Sequence, residues 1–132
     1  GELGPQPGVD QVHELVDQLR QTGMNISLTE DVRSELPVRA DLFAYRIVHE
    51  ALTNVLKHGG VDATAQVRLE EIDGHLDIDV TDTGMTPGTL PGSGQGIVGM
   101  KERAILLGGT LEAGPRPEGG FRVHARLPIG DQ

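Results

Sequence analysis

Glu50, Asn54, Lys57 and His58 stand at spacings that could carry chemistry. On a helix turning ~100° per residue they fall within roughly a 100° arc, and Arg46, one turn earlier, extends the same stripe. A carboxylate, a carboxamide and a cation on successive turns form either an ordinary solvated face or a row turned toward a ligand. Two features count against the solvated face. The other positions are so apolar that the helix must be mostly buried, and asparagine is a poor helix former with no evident structural use there.

A second group comes from strand parity. In HLDIDVTD (residues 75–82), Leu76, Ile78 and Val80 share one face, and Asp77, Asp79 and Thr81 the other. Asp82 has the parity of the apolar set, so its carboxylate points to the core side, where it needs donors. Either it accepts a hydrogen bond from an amino group on a ligand, or the strand has already ended and Asp82 caps the Thr83-Gly84 turn. The third group is GSGQGIVGM (residues 92–100). Gly94, Gly96 and Gly99 match G-x-G-x-x-G, but a Pro/Gly/Thr loop precedes them where a dinucleotide fold needs an apolar strand, which excludes that fold. Glycines ahead of a helix still offer backbone N–H groups and a positive dipole end to an anion, phosphate first; the other reading is a flexible lid without a ligand.

Together these pieces form a nucleotide site. Asp82 reads an amino-bearing base, the glycines hold phosphates, Lys57 supplies a point charge and Asn54 ligates Mg²⁺. Mg²⁺ commonly takes only one or two protein oxygens, with phosphates and waters completing its shell.

The elements that must position these groups are legible in outline. Val9, Val12, Leu15, Val16 and Leu19 give a one-sided helix over 9–21, closed by Gly23. Residues 25–29 alternate as a short strand. Leu42, Ala44, Ile47, Val48, Ala51, Leu52, Val55 and Leu56 make 41–58 a broad-striped helix that Gly59-Gly60 stops. Two alternating runs, 65–72 and 75–82, flank Asp73-Gly74, a strong hairpin signal. Residues 85–95 read as loop, 97–107 as a helix stopped by Gly108-Gly109, and 110–113 and 121–127 as strands. Residues 1–8 are a linker and 9–132 one domain. The expected fold class is α+β, a two-layer sandwich: a mixed, mostly antiparallel sheet covered on one face by about three helices.

Composition narrows the function. The 132 residues carry 20 acidic and 11 basic groups, a formal charge of −9, which argues against nucleic acid or an anionic membrane surface as partner. There is no Cys, hence no disulfide and no thiolate chemistry, which suits a reducing, cytoplasmic setting. No secretory signal opens the chain and no apolar run approaches the ~18 residues of a membrane span. Nineteen glycines and eight prolines are about a fifth of the chain, against a usual share of roughly 12%, and the glycines cluster between 84 and 99.

The runs HEALTNVLKHGG (49–60), DTG (82–84) and GSGQGIVGMKERAILLGGTLE (92–112), in that order, resemble the catalytic ATP-binding domain of sensor histidine kinases. That is the Bergerat-fold superfamily shared with gyrase, chaperones of the HSP90 class and the mismatch-repair protein MutL. The stretch GIVGMKERAILLGG is most similar to the subfamily whose response regulators carry a helix-turn-helix output domain. The resemblance spans about Val9 to Pro128. It implies ATP as substrate, Asn54 as Mg²⁺ ligand, and Lys57 and His58 near the phosphates. It implies that Asp82 contacts the adenine amino group and that Gly84 makes room for the base. Gly94 and Gly96 let the lid wrap the triphosphate, while Ile97, Gly99 and Met100 belong to the start of the following helix in the same ATP-binding set. Glu50 stands where ATP-hydrolysing relatives keep a water-activating carboxylate, as a base or an organiser of metal-bound water.

The same resemblance implies that the γ-phosphoryl group goes to a histidine on a separate dimerisation and phosphoacceptor domain, with a response regulator acting downstream. No histidine here (His13, His49, His58, His75, His124) lies in such a paired-helix context, and His75 and His124 read as exposed strand residues. The isolated domain is expected to be monomeric, without direct membrane contact, though a parent protein could be a membrane-bound sensor. Two other outputs fit the residues: a serine kinase of the anti-sigma type on the same fold, or a non-catalytic module gated by nucleotide. One departure from the family pattern is Gly119-Gly120-Phe121, where Gly-Gly-Thr is usual; Phe121 then packs against the base or fills core.

Overall fold

The computed structural model describes residues 7–58, 63–83 and 94–129. Its elements are α1 (Val9–Gln21), β1 (Asn25–Asp31), α2 (Val38–His58), β2 (Thr64–Ile72), β3 (His75–Asp82), α3 (Gly94–Leu106), β4 (Thr110–Pro115) and β5 (Phe121–Pro128). The sheet runs β1-β2-β3-β5-β4; β1 and β2 are parallel and every other neighbour is antiparallel. The parallel pair follows from α2, which carries the chain back across the sheet. The expected α+β sandwich with a mixed, mostly antiparallel sheet and three helices is the architecture found.

Period two sorts the sheet into faces. Val67, Leu69, Leu76, Ile78, Val80, Val123, Ala125 and Leu127 are buried beneath the helices. Against them α1 sets Val12 and Val16, α2 sets Phe43, Ala44, Ile47, Val48 and Leu52, and α3 sets Met100 and Ala104. Asp73 (φ 52°) and Gly74 (φ 75°) both lie at positive φ, the tight turn that an Asp-Gly pair favours between β2 and β3.

Several boundaries differ from the sequence expectation. Helix α2 begins at Val38, a turn before Asp41, and the Asp41 amide donates to the Pro37 carbonyl at 3.0 Å. Asp41 instead caps a neighbour: its Oδ1 accepts the Val9 N–H at 2.7 Å, tying α1 to α2. Strand β1 runs two residues beyond Thr29 because the parallel ladder continues to Asp31↔Glu70. Glu71 closes the loop that follows, accepting the Arg33 and Ser34 amides and the Ser34 hydroxyl; those bonds, the Ser34 hydroxyl first, hold its carboxyl below the ordinary range. Leu56, assigned to the apolar stripe, is 54% exposed among the described surroundings.

The uncovered face of the sheet is ionic. Asp79 is only 8% exposed and takes a two-point clamp from Arg122, with Nε–Oδ1 2.9 Å and Nη2–Oδ2 2.8 Å. The hydrogen bond to Asp79 raises the Arg122 guanidinium above its usual range. His75 and His124 are half-buried rather than exposed, and His124 Nε2 lies 3.3 Å from Asp77 Oδ2. Cross-strand register explains His124, which stands opposite Asp79 and beside Asp77, whereas His75 is held at the hairpin end by the Asp73 carbonyl, 3.0 Å from its Nδ1.

Candidate functional site

Helix α2 presents Glu50 and Asn54 half-buried and Lys57 exposed on successive turns. His58 ends the helix, and its side chain lies outside the described residues. The glycine segment meets this stripe through α3. An ideal Cβ on Gly96 would stand 2.6 Å from Glu50 Oε2 and 3.0 Å from its carboxyl carbon. The acid of α2 and the first turn of α3 are therefore in direct apposition, with glycine the side chain that leaves room. A cavity of about 360 Å³ opens beside them, lined by Phe43, Tyr45, Arg46, His49, Glu50, Gly96, Gly99, Met100 and Arg103.

Helix α3 starts at Gly94, not Ile97, so Gly94 and Gln95, expected in the loop, form its first turn. Glycine's low helix propensity hides that turn in the sequence. Packing supplies what propensity lacks: Met100 and Ala104 are buried and Ile97 packs against the same core. Gly84 and most of the expected loop 85–95, up to residue 93, lie outside the described residues.

Asp82 is at the C-terminal end of β3, half-buried, paired across the ladder with Ala65. Cross-strand partners share a face, and Ala65 is buried with Val67 and Leu69, so Asp82 belongs to the helix-covered face. The strand has not ended before it: the Thr83 amide still donates to the Thr64 carbonyl at 3.0 Å. Asp82 is therefore the last residue of the strand, and Gly84, the second half of the turn it was also expected to cap, lies outside the described residues. Phe121 packs on the core, in line with Val123 on the covered side of β5.

Residues that sequence reasoning did not assign to the site also stand here. Phe43, Tyr45, His49 and Arg103 line the cavity beside Glu50, with the Tyr45 and His49 rings 5.9 Å apart. Arg103 is four residues past Gly99, a helical spacing that was readable once α3 was placed. Arg116, in the β4–β5 turn, donates from Nη1 to the Asp82 carbonyl at 2.8 Å, a long-range contact with no local signal. Among the described residues, no group of three or more His, Asp or Glu side chains gathers to hold a metal, and no helix is long and apolar enough to cross a membrane.

A three-helix layer over this mixed five-stranded sheet is the fold of histidine kinase catalytic domains of known structure. The mycobacterial sensor histidine kinase MprB superposes with a TM-score of 0.66 at 24% identity, over 93% of both chains. The histidine kinase domain of a blue-light activated kinase from Erythrobacter litoralis gives 0.68 at 20% identity, over 98% of this chain and 70% of that one. Residues 40–131 match the family described as histidine kinase-, DNA gyrase B- and HSP90-like ATPase, and the chain belongs to that family. Among curated relatives, the sensor histidine kinase YxjM of Bacillus subtilis is 33% identical over 125 residues, 92% of this chain and 30% of that protein. The oxygen sensor histidine kinase NreB of Staphylococcus carnosus is 38% identical over 90 residues, 66% of this chain and 26% of the relative. The chain thus spans under a third of the length of either relative.

Proposed function

We propose that this chain is the cytoplasmic ATP-binding part of a sensor histidine kinase, a domain that holds Mg·ATP and presents its γ-phosphoryl group to a histidine on a separate dimerisation domain. The observation that carries the reading is the apposition of Glu50 and Gly96. It sets the acid-amide stripe of α2 against the glycine-rich start of α3, the two walls a triphosphate needs. Asp82, on the covered face at the end of β3, is the acceptor for the adenine amino group. Gly84 gives the base room, and Gly94, Gly96, Ile97, Gly99 and Met100 form the turn that receives the phosphates. Lys57 and His58, at the C-terminal end of α2, lie toward the phosphate chain.

Magnesium fits the donor chemistry. Asn54 offers a hard amide oxygen and Glu50 a hard carboxylate one turn away, and Mg²⁺ needs only one or two such ligands. When bound, it neutralises phosphate charge as the transfer proceeds. In that transfer the acceptor imidazole nitrogen attacks the γ-phosphorus, the bond to the bridging oxygen breaks, and ADP leaves with the electron pair. The chain's own groups position and screen: Asn54 and Lys57 hold the phosphates, α3 closes over them, and Glu50 manages a proton at their edge.

The chain titrated with ATP and Mg²⁺ should bind saturably at or below millimolar nucleotide, with little turnover alone. Absence of binding to folded protein at millimolar ATP overturns the reading. A second expectation concerns Gly96. In Gly96→Ala the three atoms nearest the new methyl all belong to the flexible Glu50 carboxyl, and alanine favours a helix over glycine by about 1 kcal/mol, so the melting temperature should hold or rise. Affinity for Mg·ATP should fall about tenfold, ~1.4 kcal/mol, because the methyl and the displaced carboxylate crowd the phosphate wall. Unchanged affinity in calorimetric titration would remove Gly96 from the site.

A further inference from the structure

The carboxylate that reads the base sits where the β3–β5 ladder has already ended. That ladder's last pair is Thr81↔Arg122, so Asp82 lies one residue past the reach of β5 pairing. The turn before β5 takes over. Arg116 Nη1 donates to the Asp82 carbonyl oxygen at 2.8 Å, and Arg116 Nη2 bonds Glu118 Oε2, also at 2.8 Å. The turn is closed on itself: the Arg116 amide donates to the Gly120 carbonyl at 2.9 Å, and the Gly119 amide to the Arg116 carbonyl at 3.0 Å. Arg116 keeps 24% of its side-chain surface exposed, and it lines the open-face cavity with Gln66, Asp79 and Thr81. Its grip is on backbone, from the opposite side of the sheet to the Asp82 side chain.

We propose that Arg116 is a positioning residue for base selection: by clamping the Asp82 main chain it holds the Asp82 carboxylate in the orientation that accepts an amino group of a purine. This rests on the assignment of Asp82 to the adenine amino group. Without the clamp, the terminal residue of β3 keeps its ladder pairing to Ala65 of β2 but loses the hydrogen bond that joins it to the β4–β5 turn. A strand end held from both sides loses less freedom on binding, so its hydrogen bond is stronger, and the effect falls on ligands with the amino group. Arg116 touches no part of the nucleotide in this scheme. Its removal therefore acts on selectivity and spares the phosphate contacts.

The test uses the whole chain, wild type, Arg116→Ala and Arg116→Lys, each titrated with Mg·ATP and with the Mg²⁺ complex of purine riboside triphosphate, which lacks the amino group. Thermal denaturation checks that each is folded. Wild type should prefer ATP by about tenfold or more, the scale of a hydrogen bond to a charged acceptor. Arg116→Ala should lose most of that preference through weaker ATP binding, its affinity for the analogue changing less than about twofold. Arg116→Lys, which retains a donor, should keep more of the preference than the alanine variant. A full preference in Arg116→Ala, or equal losses for both nucleotides, overturns the positioning role while leaving the adenine assignment standing. Wild type with no preference overturns the adenine assignment, and this inference with it.

Discussion

Asn54→Ala should reduce Mg²⁺-dependent ATP affinity about 100-fold or more while leaving the fold in place. Partners that only orient a metal's ligands cost 10–100-fold when removed, so deletion of a ligand itself belongs at or above the top of that range. Magnesium makes the loss hard to absorb, because it draws so few oxygens from the protein. The helix itself should not suffer. Asparagine is a weak helix former, and alanine at the same site gains roughly 0.5 kcal/mol of propensity. A melting temperature close to wild type is therefore expected alongside the binding defect. Metal removal supplies the discriminating control. If Asn54 acts through the cation, excess chelator should weaken ATP binding by the wild-type chain about as much as the substitution does, and the two losses should not add. Wild-type affinity in Asn54→Ala, or full additivity with chelation, would show that the amide acts elsewhere.

What the sequence discloses about this fold follows the range of the interaction concerned. The buried stripe of α2 and the alternation of β2, β3 and β5 are local patterns with one structural solution each, and both appear as read except for the exposed Leu56. The Asp73-Gly74 turn is as local, because two consecutive positive φ angles demand such residues. The covered-face position of Asp82 also follows from parity, since a period of two leaves no freedom once Leu76, Ile78 and Val80 are assigned. The start of α3 was not legible, because glycine propensity opposes a turn that Ile97, Met100 and Ala104 enforce by packing. The extra length of β1 was hidden for a similar reason: its last residues, Glu30 and Asp31, are held by the parallel ladder and not by any alternation of their own. For the proposed site, residue types and order pointed to Glu50, Asn54 and Asp82, whereas the Arg116 contact with Asp82 and the tight seat of Gly120 exist only once β4, β5 and β3 lie side by side. Such contacts join segments far apart in the chain, and neither periodicity nor propensity encodes them.

That seat yields the largest expected effect on stability. Gly120 holds φ +88°, and a Cβ there would overlap the Asp82 carbonyl oxygen, crowd its carbonyl carbon at 2.7 Å and stand 3.1 Å from Asp82 Oδ1. A left-handed backbone costs an L-residue with a side chain about 1–2 kcal/mol by itself. The overlap adds to this, because the obstructing atoms are main chain at the end of β3, paired with Ala65 of β2 and bonded by Arg116, and no side-chain rotamer relieves them. Gly120→Ala should therefore destabilise the chain by about 3 kcal/mol, a large part of the 5–15 kcal/mol of an ordinary domain. For this chain length, that is a fall of roughly 10 °C in melting temperature. Gly114→Ala in the same hairpin is the matched control. No atom lies within 4 Å of a Cβ built on Gly114, so its change should stay within about 0.5 kcal/mol. Any relief of the Gly120 overlap that moves the end of β3 carries Asp82 with it. The folded fraction of Gly120→Ala should accordingly discriminate less sharply between ATP and the analogue without the amino group, even at temperatures well below its transition. Equal melting temperatures for Gly120→Ala and Gly114→Ala would show that β5 and the end of β3 are not packed this closely, and the clamp on Asp82 would lose its footing.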